Sequence, residues 1–142
     1  MEKVHFIASN DKNGLNSGVF FIRVHPWSLN FIIRALSYYY FYENRESRYI
    51  DQYAIRSVLI KQNEKDHYII VPQYWFNNYI ETLNHGDFIL HFAGKVNKDN
   101  DSKLFRENMK NETKWYSKTS KEMREEVLKY YNLPKSEQIK LN

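Results

Sequence analysis

Apolar residues fall along this chain in short blocks whose spacing changes from strand-like to helical and back. Val4-His5-Phe6-Ile7 reads as a short strand or an extended lead-in. A polar turn follows from Ser9 to Gly14, with Asn13-Gly14 as its strongest signal. Leu15-Asn16-Ser17-Gly18 then leads into Val19-Phe20-Phe21-Ile22, an unbroken apolar run that predicts a central strand buried on both faces. Pro26-Trp27-Ser28 opens a helix: proline suits a first turn, and Leu29, Ile32, Ile33 and Leu36 follow at helical spacing. The aromatic block Tyr38 to Tyr42 continues that helix as packing surface, and Asn44 to Ser47 is a charged break.

A second helix is predicted over Ile50 to Ile60, from the spacing of Ile50, Ala54, Ile55, Val58 and Leu59. After a turn at Asn63 to Asp66, His67 to Val71 reads as a strand stopped by Pro72. Gln73 to Ile80 is aromatic-rich, holds Asn77 and Asn78, and predicts irregular structure folded onto the core. In Gly86 to Lys95, Phe88-Ile89-Leu90 run straight into His91, which predicts a buried strand delivering a polar side chain to its end. Beyond Lys95 the pattern weakens. Asn97 to Lys103 is polar and Leu104 to Tyr116 is weakly amphipathic. Thr119-Ser120-Lys121-Glu122 is a capping box that opens a helix running to about Tyr131, ended by Asn132 and Pro134. The order strand, helix, helix, strand, strand predicts an α/β domain over residues 1–95, with a polar basic tail over 96–142 that carries one helix at about 120–131.

Composition narrows the class. The chain has 142 residues, enough for one domain with a core, and an aromatic content of 17% argues for a folded protein. There are no cysteines, which excludes disulfides, thiolate zinc sites and cysteine nucleophiles. The net charge is +4, and the excess lies wholly in the tail: 12 Lys and Arg against 8 Asp and Glu from Lys95 onward, 9 against 9 before it. A nucleic-acid binder would carry its basic residues along the folded face, so no nucleic-acid partner is expected, although a basic binding module stays open as an alternative. The longest apolar run, Leu29 to Tyr42, is too short to span a bilayer and is broken by Arg34. Met1-Glu2-Lys3 does not open a signal peptide, so the chain as written reads as soluble, without an address.

Polar groups gather at the predicted strand ends, where ligands of open α/β sheets bind. Asn16 and Gly18 fit either a site or an ordinary turn before a strand. Asp51, in a first helical turn, is explained as well by the helix dipole as by chemistry, and Gln52 needs no more than an exposed position. His91 reads as a ligand or as a core histidine satisfied by a carbonyl. The residues alone reach an α/β domain with room for a metal or phosphate site.

Five blocks in order carry a resemblance: Leu15-Asn16-Ser17-Gly18-Val19-Phe20-Phe21-Ile22-Arg23; Trp27-Ser28; Asp51-Gln52 with Ala54-Ile55; Val71-Pro72-Gln73 and Asn77; and Gly86-Asp87-Phe88-Ile89-Leu90-His91-Phe92-Ala93-Gly94. Over about Gly14 to Gly94 the chain resembles the C-terminal half of glycosyltransferase family 34, which holds fungal α-1,2-galactosyltransferases, α-1,6-mannosyltransferases and plant xyloglucan xylosyltransferases. The resemblance implies a partial GT-A (nucleotide-diphospho-sugar transferase, Rossmann-like) fold over 1–95. It implies a retaining transfer of a hexose, mannosyl or galactosyl, from a nucleotide-sugar donor to a glycan acceptor, with manganese at the donor diphosphate. In that reading His91 is a metal ligand, Asp51 and Gln52 lie beneath the donor sugar, and Asn16, Ser17 and Gly18 line its pocket. Gly94 lies close to the diphosphate, and Lys95 supplies positive charge to it.

One departure shapes the expectation. The family's Asp-x-Asp metal motif is absent before Asn16, and Asp99-Asn100-Asp101 lies downstream of His91 in a polar stretch. Oxygen-rich ligation suits manganese, so His91 is expected to bind it weakly, and the chain is expected to be a truncated or partial product, inactive alone. The alternative is a non-catalytic partner of a full-length mannosyltransferase. The resemblance also implies a lumenal Golgi location, whereas the chain as written would stay in the cytoplasm. Two sequons, Asn100-Asp101-Ser102 and Asn111-Glu112-Thr113, decide nothing between these.

Overall fold

The computed structural model describes residues 3–41, 50–61, 64–112 and 118–141 and divides the chain into two units, Met1–Gln73 with Leu133–Asn142, and Tyr74–Asn132. Among the described residues the fold is mixed α/β, with three strands in one sheet and four α-helices. The charged break predicted at 44–47 lies outside the described residues.

The first unit is built on β1 (Phe6–Asp11), β2 (Gly14–Ile22) and β3 (Tyr68–Val71) in the order β2-β1-β3. β2 runs antiparallel to β1, and β3 runs parallel to it. Polar Ser9, Asn10 and Asp11, read from the sequence as a turn, instead extend β1, because they pair with Asn16, Leu15 and Gly14 across the hairpin. Only Lys12 and Asn13 form the turn. The Asn13 N–H donates to Asp11 Oδ1 at 2.6 Å, and Gly14 takes a φ of 101° that side chains disfavour. The predicted central strand is corrected at the same time. β2 is an edge strand, and its Phe20 and Phe21 are 39% and 45% exposed. The place between two strands belongs to β1, whose Phe6, Ala8 and Ser9 are buried.

α1 (Pro26–Phe41) and α2 (Ile50–Lys61) pack in the same unit. α1 buries a stripe other than the one read from its sequence. Ser28, Phe31 and Tyr38 are buried and Trp27 and Ala35 pack against the core, whereas Leu29, Ile32, Ile33 and Leu36 are exposed. Helical spacing is present on both faces of α1, so periodicity alone could not choose between them. α2 follows the expected pattern with Ala54, Val58 and Leu59 buried. The core gathers Phe6, Leu15, Phe31, Leu59 and Ile70. At its rim the Arg34 guanidinium meets Glu64 at 2.7 Å, and the Trp27 indole N–H donates to the same carboxylate at 2.9 Å. Burial opposes ionisation of Glu64, but the hydrogen bonds from Arg34 and Trp27 outweigh it and hold the carboxyl below its ordinary range.

Three imidazoles stack beside this ion pair. His5 lies 4.1 Å from His25 and 5.3 Å from His67, ring centre to ring centre, and Trp27 lies 5.0 Å from His67. His5 is 7% exposed, and its Nδ1 is buried with no hydrogen-bond partner. The unit is closed by the chain's last described residues: Asn10 Nδ2 donates to the Lys140 carbonyl at 2.9 Å, and Leu141 packs against the core.

In the second unit, residues 86–95 do not form the predicted strand. Among the described residues this stretch pairs sheet-like at one parallel bridge, Asn78 to Leu90, and Phe88 is 55% exposed. A helix that the sequence did not announce, α3 (Lys98–Met109), follows; its apolar residues are only Leu104, Phe105 and Met109, and none of its residues is buried. α4 (Ser120–Tyr131) starts at Thr119, and the capping box forms: Thr119 accepts from the Glu122 N–H while Glu122 accepts from the Thr119 N–H. Glu126 holds the helix down by accepting from the indole N–H of Trp75 at 3.0 Å. Thr119→Ala is expected to cost about 1 kcal/mol, as typical for a lost N-cap. Urea denaturation followed by circular dichroism measures it, and an unchanged midpoint would mean that α4 needs no cap.

Candidate functional site

β2 leaves its ladder where the candidate motif sits. Ile7 pairs with Phe21 and Ser9 pairs with Asn16, so a single residue of β1, Ala8, stands opposite Ser17–Phe20 of β2. This is a bulge, a device that re-aims side chains and releases backbone groups from pairing. The released groups find side-chain partners. The Gly18 N–H donates to Asn16 Oδ1 at 2.8 Å, and Asn16 Nδ2 donates to Asp11 Oδ2 at 2.8 Å. Asn16 is 3% exposed, so its amide is a buried brace of the bulge rather than an open contact group.

Ser17 reaches outward to α2. Its hydroxyl donates to Asp51 Oδ2 and its N–H donates to Gln52 Oε1 at 3.3 Å. Two segments far apart in sequence are thereby joined: the Asn-Ser-Gly stretch of β2 and the Asp-Gln pair in the first turn of α2. Asp51 is exposed and Gln52 half-buried. A carboxylate in the first turn of a helix is also favoured by the helix dipole, and Ser17 now adds a second interaction that the dipole does not explain.

His91 lies in the second unit, and its surroundings come from two asparagines. Its Nδ1 lies 2.7 Å from Asn77 Oδ1, within hydrogen-bond distance, and its backbone N–H donates to the Asn78 carbonyl at 2.7 Å. Asn78 Nδ2 in turn donates to Asp87 Oδ2 at 2.6 Å, which also accepts the Asn84 N–H. Side-chain amides thus order a stretch that has no ladder of its own. Gly94 has a φ of 65°, a left-handed value that glycine adopts at little cost, and a Cβ there would meet open space. Lys95 is paired with Glu81, and that hydrogen bond and charge raise its pKa above the ordinary lysine value.

Among the described residues no group of three or more His, Asp and Glu side chains is placed to hold a metal ion. A hard divalent cation such as manganese prefers several oxygen donors, so the described residues do not amount to a manganese site, and His91 can be at most one ligand of it. The structure brings Ser17, Asp51 and Gln52 together and places Asn16 and Gly18 beside them in the first unit. His91, Gly94 and Lys95 fall in the second.

Two residues near these groups receive no role from the sequence alone. Asp11, which anchors Asn16, lies in the stretch that reads as a polar turn. Asn77, fully buried at 0% exposure, sits in the run Trp75-Phe76-Asn77-Asn78-Tyr79. An amide inside an aromatic block is a signal that could have found it, because a buried amide requires a partner.

Among the described residues no helix is long and apolar enough to cross a membrane. Comparison with curated proteins and with solved structures gave no match. The model of the galactosyl transferase GMA12/MNN10 family matches residues 1–103, which cover the sheet, α1, α2, and both Asn77 and His91. The chain therefore belongs to this glycosyltransferase family, with nucleotide-sugar and glycan substrates as its chemistry.

Proposed function

We propose that this chain carries the donor-sugar and acceptor side of a retaining hexosyltransferase, moving a mannosyl or galactosyl group from a nucleotide sugar to a glycan on a GT-A type fold. The observation that supports this reading is the β2 bulge, which sets Ser17 on both Asp51 and Gln52. Residues assigned by resemblance to one sugar pocket meet there. A carboxylate beside an oxocarbenium-like centre stabilises its positive charge, and Asp51 keeps acceptor directions beyond the one that Ser17 uses. Gln52 offers its amide N–H groups to sugar hydroxyls, since its oxygen is occupied by Ser17.

Carboxylates for a divalent ion are not assembled among the described residues, so no transfer step is assigned to a metal, and the chain is proposed to be inactive by itself. That same observation supports a second reading, a non-catalytic partner that lends its acceptor-side surface to a full-length transferase. The lumen of the Golgi is the compartment both readings imply.

Saturation-transfer NMR with GDP-mannose, UDP-galactose and a mannose-terminated oligosaccharide tests the first reading. Hexose protons should receive saturation, and Asp51→Asn should weaken binding roughly tenfold or more, the worth of a charge-assisted hydrogen bond. No transfer to any of the three molecules would exclude a sugar site. Manganese calorimetry on the purified chain is expected to show no tight site. A tight site abolished by His91→Ala would refute the claim of inactivity.

A further inference from the structure

We propose that Asn77 is a positioning residue that holds the His91 imidazole in its Nδ1–H tautomer and in one orientation. This rests on the reading that the chain is part of a sugar transferase in which His91 acts through a ring nitrogen. The Asn77 side chain is fully buried, and its amide oxygen, which can only accept, lies 2.7 Å from His91 Nδ1. A proton on Nδ1 places the ring's lone pair on Nε2, the far side of the imidazole from Asn77. The backbone that carries the ring is anchored as well. His91 N–H is bonded to the Asn78 carbonyl, Leu90 bridges to Asn78, and Asn78 also grips Asp87.

The tautomer matters because a ring nitrogen that accepts or ligates must present a lone pair, and the bond made by the other nitrogen decides which one does. A leucine at 77 would fill similar space and offer no acceptor. An aspartate would offer one.

Long-range proton–nitrogen NMR on the full chain, at a pH where imidazole is neutral, reads the tautomer directly and needs neither donor nor metal. Wild type is expected to carry the proton on Nδ1. Asn77→Leu should invert the ratio toward the Nε2–H form that free histidine favours, and Asn77→Asp should retain Nδ1–H. An Nε2–H ring in the wild type overturns the proposal, and so does an unchanged ratio in a folded Asn77→Leu chain. If Asn77→Leu fails to fold, the wild type and Asn77→Asp decide by the same readout. A chain that binds no nucleotide sugar but shows the Nδ1–H ring would sink the functional reading and leave the positioning of the ring established.

Discussion

Phe31→Ala is expected to destabilise the first unit by about 3–5 kcal/mol, the usual cost of removing a buried aromatic ring. Phe31 is 1% exposed and lies where α1 meets the sheet. Its ring is tilted against Phe6 at 5.2 Å and stacked on Trp27 at 5.0 Å, so truncation empties the point at which helix and strand touch. The neighbours cannot collapse into the gap: Trp27 is held by Glu64, and Phe6 by its place on the central strand. Against a typical domain stability of about 5–15 kcal/mol, such a loss takes a large share. Urea denaturation followed by tryptophan fluorescence measures it, because Trp27 reports on that contact. A loss below about 1 kcal/mol would mean that the core has another centre.

Acid is the second lever. Burial holds His5 below its ordinary pKa of 6.5, and His25, His67 and Arg23 depress it further. A base with a depressed folded pKa binds its proton more readily when unfolded. Its contribution is therefore complete above 6.5 and is lost as the pH falls from there toward the folded pKa. The groups around it sharpen the effect. His25 Nδ1 accepts from the Trp27 N–H, His67 Nδ1–H donates to the Lys3 carbonyl, and a proton gained on His5 faces both rings and Arg23. The Glu64 carboxylate interacts with the charge of His67, and its own lowered pKa puts its loss of charge in a more acid range. Urea midpoints should therefore fall between pH 7.5 and pH 5.5. His5→Phe, which keeps a ring in the stack without an ionisable nitrogen, should flatten that fall. Equal slopes for the two proteins would remove His5 from the explanation.

Parts of the first unit, and α4 of the second, were legible from residue pattern. α2 and β3 follow their apolar positions, and α4 follows its capping box, because in each case the signal is local. What decided the rest was not local. β2 has the composition of a buried strand, but its edge place depends on which strands lie beside β1. The stretch 86–95 is apolar enough for a strand, yet it is ordered by Asn77 and Asn78, which lie several residues upstream. α3 has only Leu104, Phe105 and Met109 as apolar positions and, unlike α4, no capping box to mark its start. At the candidate site, the residue types were visible through family resemblance. The meeting of Ser17 with Asp51 and Gln52 was not, because it depends on a bulge that breaks the register of the β1–β2 pair.

The first unit is discontinuous: residues 133–141 return to it after the whole of the second unit has been made. On a ribosome, β1 therefore waits for Lys140, and the core for Leu141, until all of Tyr74–Asn132 has been synthesised. Domains whose segments are contiguous can fold as they emerge. This one closes only after its own insertion has been made, so its sheet and core are completed later than those of a contiguous domain would be.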